Sequence, residues 1–236
     1  MATLVIDHAP VNAFNKQTMQ ELSDAVDALA VNPDVKVVVV TGAGQLAFVA
    51  GADIGEIGGY VKAQDMASAQ AFIALGQQVF SKIEASNKPF IAAVCLGSGL
   101  ELAMACHLRI CGDRVRLGQP EINLGIIPGW GGTQRLQRIV GAAKAAEMIL
   151  TGDQITAQQA MQLRLVNMVV PGGEVMRQAK GLAAKIANKS AVAVAAAMNA
   201  IRAGLDAELH LGLAAELRQF GHVTASADAI EGSPRS

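Results

Sequence analysis

The stretch VKVVVVTG, residues 35 to 42, places five valines within six positions and closes on a glycine. β-Branched side chains are stiff at χ1 and fit a pleated surface, and a run without polar alternation suits a strand covered on both faces. It therefore reads as a buried strand. FIAAVCLG (90–97) reads the same way, and LVNMVVP (165–171) is a third candidate. Helical patterns lie around them. Met19, Leu22, Val26 and Leu29 recur at spacings of three and four, and Phe72, Val79, Phe80 and Ile83 share a helical face that closes at Asn87 and Pro89. From Gly141 onward the segments AAKAAEMIL, TAQQAMQL, EVMRQAKGLAAKIAN, AVAVAAAMNAI and DAELHLGLAAELRQF all read as helix. No period of about 20 to 50 residues marks a repeat array. The expectation is an α/β core followed by a helical C-terminal region.

Composition narrows the function classes. The chain has 236 residues, 52% hydrophobic and 17% charged, with a formal net charge of -1. That is enough to bury a sizeable core, and it lacks the basic excess of a phosphate-backbone binder, so no nucleic-acid partner is expected. MATLVIDHAP has neither the basic start nor the long apolar run of a secretory signal. No apolar run approaches the roughly 18 residues of a membrane span, and a cytoplasmic protein with no membrane partner is expected. Cys95, Cys106 and Cys111 are odd in number and sit in apolar surroundings, which suits reduced buried thiols. Cys106, His107 and Cys111 have no second ligand pair at zinc spacing, so no metal is expected. His107 reads as a buried, hydrogen-bonded imidazole, and Arg135 and Arg138 as a solvated helix face.

Three glycine-rich places could carry chemistry. TGAGQLAFVAGADIGE (41–56) follows a strand, and Gly42-x-Gly44-x-x-Ala47 meets the loose form of a dinucleotide fingerprint. A true fingerprint opens a helix and leads, about 20 residues on, to a second strand ending in an acid. Here FVAGADIGEIGG carries more glycines than a helix tolerates, which argues against a nicotinamide site and leaves a loop of small residues. LGSGLELAMAC (96–106) passes from strand to helix, and Ser98 with Glu101 has the spacing of a capping box. The unpaired N–H groups of such a turn also favour a developing oxyanion, so Ser98 N–H is a candidate donor. GQPEINLGIIPGWGGTQRL (118–136) holds one carboxylate, Glu121, in a stretch with no other charge before Arg135. Burial among aliphatic neighbours would raise its pKa into a range useful for proton transfer; the alternative is a solvated loop carboxylate.

Taken together, AFVAGADIGE, LGSGLELAMACHLRI, GQPEINLGIIPGWGGTQRLQRIVG, MILTGDQITAQQA and LVNMVV, with APVNAFNKQTMQEL near the start, resemble the enoyl-CoA hydratase/isomerase (crotonase) superfamily over residues 3 to 232. The resemblance is most like the short-chain enoyl-CoA hydratases. It implies a crotonase-like ββα spiral core over residues 1–188 and a C-terminal helical trimerisation region over 189–236. It implies an acyl-CoA thioester as substrate, with CoA part of that substrate and no separate cofactor, and assembly as a homotrimer or a dimer of trimers.

Site residues carry over by position. The two oxyanion donors would be the N–H groups of Ala52 and Ser98. Glu101 and Glu121, 20 residues apart as in the family, would flank the water that is added. Glu121 would act mainly as the acid at C2 and Glu101 as the base that positions water, a division the sequence leaves open because coupled carboxylates titrate as a pair. Ala50, Gly51, Asp53 and Ile54 would line the substrate and CoA path. Gly129 matches a position whose backbone lies close to the water, where a side chain should crowd it.

The chain also departs from the family. Three residues are missing between Val94 and Leu96, Ser98 stands where glycine is usual, Leu46 where many relatives have lysine, and His107 where aspartate is common. EGSPRS stands in place of an aromatic and basic tail. Two further functions stay open: an isomerase that moves the double bond with a single glutamate, and an acyl-CoA-binding member impaired in catalysis.

Overall fold

A computed structural model describes residues 1–44, 48–94, 99–226 and 228–229. Its centre is a parallel sheet built from β1 (Ala2–Ile6), β2 (Val38–Gly42), β3 (Phe90–Val94), β4 (Leu108–Gly112) and β7 (Met168–Val170), in that spatial order. Each new strand joins the same edge, so the chain winds in one direction. Parallel neighbours require crossovers, and α1 (Lys16–Val31), α2 (Ile54–Ala63) with α3 (Met66–Glu84), and α4 (Leu100–Ala105) supply the first three. A second, two-stranded antiparallel sheet pairs β5 (Arg116–Leu117) with β6 (Ile155–Thr156).

The valine run works as its composition dictates. Val38 and Val40, with Phe90, Ala92 and Val94, face a large core that includes Met19, Leu22 and Val26 of α1 and Phe72, Val79, Phe80 and Ile83 of α3. Val37, Val39, Ile91, Ala93 and Ile110 face the other way, onto Val175, Ala179 and Ala183 of α8 (Val175–Ala187). Alternate residues of one strand thus feed two separate cores.

Local capping sets the helix starts. Asn15 accepts from Thr18 N–H at 2.8 Å, and Thr18 Oγ1 accepts from Asn15 N–H at 2.9 Å, a reciprocal pair that fixes the entry to α1. The glycines expected to prevent a helix after Ala52 do not: α2 runs through Gly55, Gly58 and Gly59. Asp53 Oδ1 accepts from Gly55 N–H at 2.7 Å and Glu56 N–H at 3.3 Å, and this cap offsets the poor propensity behind it. β1 and β4 were not anticipated either. In β4, Arg109 interrupts the apolar pattern, yet its guanidinium is satisfied by the carbonyls of Leu165, Cys106 and Ala103.

After β5, a 3₁₀ turn (Pro120–Leu124) leads to α5 (Gly132–Val140), α6 (Ala142–Thr151) and α7 (Ala157–Gln162). The chain ends in α9 (Ala191–Gly204) and α10 (Leu209–Thr224), which pack chiefly on one another. Their buried residues are only Ala196 and Ala215. Arg202 Nη1 to Glu84 O (3.3 Å) and the Arg138–Asp206 ion pair (3.2 Å) tie this hairpin to the rest. Among the described residues no helix is long and apolar enough to cross a membrane.

Candidate active site

The site lies beyond the carboxyl ends of β2 and β3. The loop after β2 returns along the segment before α1: Ala50 N–H donates to Val11 O (3.1 Å), Phe14 N–H to Gly51 O (2.8 Å) and Asp53 N–H to Phe14 O (2.8 Å). Phe14 and Ala52 therefore form an isolated parallel bridge. In such a bridge the outer neighbours of Ala52 carry the hydrogen bonds, so its own N–H turns away from Phe14. Ala52 N–H meets no acceptor among the described residues. Buried Asn12 braces the same loop, with Nδ2 donating to Ala43 O at 2.9 Å.

Gly99, at φ +40°, begins α4; a Cβ there would fall 2.8 Å from both Phe48 and Val49. Only glycine lets the start of α4 approach the loop after β2 this closely. In the first turn of α4 comes Glu101. The expected capping-box partner, Ser98, lies outside the described residues, and the Gly99 that starts the helix offers no side-chain cap. Glu101 Oε1 accepts from Trp130 N–H at 2.8 Å and Gly132 N–H at 2.7 Å. Gly132 is the first residue of α5, so Glu101 caps a different helix, 31 residues further along the chain.

Glu121 sits in the 3₁₀ turn, which Pro120 opens and Gly125 (φ +71°) closes. It is half-buried rather than free in a solvated loop. With its amide nitrogen turned towards Glu121, the buried Gln119 donates to both carboxylate oxygens at 3.3 Å.

Glu101 and Glu121 line one cavity of about 40 Å³ together with Phe14, Gly51, Phe80, Gln119 and Trp130. A roomier crevice of about 640 Å³ lies at the opposite end of the strands, bordered by Val35, Lys36, Lys88, Lys189 and His222, and no carboxylate lines it. Chemistry therefore belongs to the smaller space. Burial is the chief cause that lifts Glu101 from 4.5 to about 7; the N–H groups of Gly132 and Trp130 and the charge of Arg135 pull it down, and the charge of Glu121 pushes it up. Burial also raises Glu121. Two carboxyl groups that sense each other, both raised by burial and one of them to about 7, can hold and exchange a proton.

Ala50 and Gly51 line the cavity, but Asp53 serves as the α2 cap and Ile54 is 64% exposed at the start of that helix. A Cβ on Gly129 would strike Ile73 at 2.8 Å, so the crowding there comes from α3; Gly129 O accepts from Gln77 Nε2 at 2.7 Å. Arg135 is not on a solvated face. Its side chain is 12% exposed, donates to Trp130 O at 2.9 Å and pairs with Glu84 at 2.8 Å, which anchors the turn that holds Glu101. Arg138, 53% exposed, does lie in solvent.

His107 Nδ1 accepts from Phe90 N–H at 3.0 Å, which removes that nitrogen from ligand duty, and burial lowers its pKa to about 4. Cys106 and Cys111 are free, buried thiols pushed up to about 12 and about 11. Leu46, Cys95 and Ser98, and with them the second oxyanion donor and the shortened connection after Val94, lie outside the described residues.

Residues 2–235 match the family model described as enoyl-CoA hydratase/isomerase. The chain belongs to this family. It is 42% identical over 225 residues to a crotonyl-CoA hydratase of Syntrophomonas wolfei, covering 94% of this chain and 85% of that one. It is 41% identical to a short-chain-enoyl-CoA hydratase of Clostridium acetobutylicum, over 92% of this chain and 83% of that one. The crystal structure of an enoyl-CoA hydratase from Bacillus anthracis superposes with a TM-score of 0.90 at 34% identity, covering 98% and 90% of the two chains. The crotonase-like α/β fold expected from the sequence is thus the fold of this family member.

Proposed function

We propose that the protein is an enoyl-CoA hydratase, a lyase that adds water syn across a 2-trans-enoyl-CoA to give a 3-hydroxyacyl-CoA. The observation that carries this is the convergence of Glu101 and Glu121 on one cavity, both with raised pKa. The hydratase relatives support it. The thioester oxygen accepts from Ala52 N–H, and Ser98 N–H is the second donor by resemblance. Glu101 takes a proton from water as the oxygen bonds to C3. The double-bond electrons move onto the thioester oxygen as an enolate, and Glu121 then delivers a proton to C2. Proton exchange between the carboxyl groups and solvent resets the pair. The reaction so written is redox-neutral, and the charge it develops on the thioester oxygen is met by the N–H donors.

Each part has a physical reason. Glu101 Oε1 is fixed by two backbone N–H groups, which suits a base that must hold water in one place. Preorganised N–H donors at an oxyanion are worth about 100- to 1,000-fold in rate. The assembly belongs to the same proposal. Leu205, Leu209, Leu217 and Phe220 on the α9–α10 hairpin are each at least 67% exposed, a face suited to burial between subunits of a homotrimer or a dimer of trimers. Loss of the conjugated-thioester absorbance of crotonyl-CoA tests the activity. Steady loss with formation of 3-hydroxybutyryl-CoA is expected. Binding of acyl-CoA without turnover, or turnover of 3-enoyl thioesters alone, would replace the hydratase with a binding protein or an isomerase.

A further inference from the structure

The inner end of the cavity is aromatic. Phe14 (1% exposed), Phe80 (1%) and Trp130 (2%) line it. Trp130 stands edge-to-face with both, at ring separations of 5.9 and 5.7 Å, and with Phe72 behind at 5.4 Å. The indole is seated on α3 at Gly76, where a Cβ would lie 2.3 Å from both Cδ1 and Nε1. No other residue type could stand there without displacing the ring. The outer end is the Ala50–Asp53 loop, where Ala50 is exposed and the next three residues are half-buried. That exposed loop offers a CoA moiety, large and multiply charged, a solvent-facing path to the cavity. The free end of an acyl chain whose C2 and C3 lie between the glutamates then points inward, towards Trp130. Its backbone N–H is bonded to Glu101 at 2.8 Å, so the residue that carries the indole is tied directly to the catalytic carboxylate.

We propose that the Trp130 indole, held by Gly76, is the floor of the acyl pocket and restricts the substrate to short acyl chains. This rests on the hydratase reading and adds the residue that sets its chain length. An apolar pocket discriminates about 10- to 200-fold for one methylene that does not fit. The wild-type kcat/KM is expected to fall at least about 100-fold from crotonyl-CoA to 2-octenoyl-CoA. Trp130→Ala, with the backbone N–H retained, should narrow that ratio to within about tenfold, and Trp130→Leu should lie between.

Two readouts do not depend on turnover or on the variants folding. Trp130 is the only tryptophan of the chain, so its emission reports directly on the acyl end. Butyryl-CoA should change that emission and free CoA should not, and calorimetry should show the wild type binding butyryl-CoA more tightly than octanoyl-CoA. Equal binding of the two thioesters, unchanged emission with butyryl-CoA, or folded variants that keep the wild-type chain-length ratio would each overturn the proposal. Absence of hydration with discrimination between acyl chains intact would overturn the hydratase reading and leave the floor in place.

Discussion

Glu101 and Glu121 share a cavity but not a kind of support. Glu101 projects from a helix, and its Oε1 is gripped by two peptide N–H groups at the start of α5. Glu121 rides on a single 3₁₀ turn and has a side-chain amide as its neighbour. Backbone donors cannot swing away, whereas an amide on a side chain can. One carboxyl group is thus held in one place and the other is freer to shift, a difference drawn from surroundings and not from residue type.

The strongest way to break this contrast is to remove each acid while keeping its shape. Glu101→Gln and Glu121→Gln should each lower kcat on crotonyl-CoA by about 100- to 10,000-fold. Full activity in either variant would remove that residue from the mechanism.

The next effect is on stability and concerns Glu101 alone. Its pKa is higher folded (about 7) than unfolded (4.5), so the native state binds the extra proton. That contribution is complete below pH 4.5 and is lost as pH rises through 7. At about 1.4 kcal/mol per pH unit, the ionised form costs roughly 3 kcal/mol at pH 8. Glu101→Gln still accepts both N–H bonds and carries no charge. Its urea midpoint should exceed that of the wild type at pH 8, and the gap should close towards pH 5. A gap independent of pH would contradict the burial of this charge.

Smaller effects sharpen the comparison. If Glu101 is the base, kcat/KM should fall about tenfold for each pH unit below about 7, as the carboxylate is protonated. Arg135 lowers the Glu101 pKa and binds Trp130 O. Arg135→Gln should therefore move this acid limb to higher pH and reduce kcat several-fold, a loss of about 1 kcal/mol. An unmoved limb would show that Arg135 only anchors the turn.

Particular residues explain how far the sequence was legible. α1 and α3 were visible because their apolar residues repeat at the helical period, and β2 because its valines do not alternate. β4 was hidden by Arg109, whose charge is neutralised in effect only by carbonyls from elsewhere in the fold. α2 was hidden by its glycines, because a cap acts on the helix start and leaves the composition unchanged. The glutamates were found through motif and spacing. Their supports were not: a backbone N–H has no letter of its own, and those of Trp130 and Gly132 reach Glu101 only after the chain has folded across 29 and 31 residues. Gly76, a lone glycine in a good helix, was the one printed hint that something large would lean on α3.

The solitary bridge between Phe14 and Ala52 also fixes parity. Along an extended segment, successive peptide groups point to opposite sides, so a frame slip of one residue would turn the amide at 52 back towards Phe14 and leave a carbonyl aimed at the place proposed for the thioester oxygen. A dipole meant to attract would then repel. The first fourteen residues, remote from both acids in the chain, are in this sense a ruler for the polarity of the reaction centre.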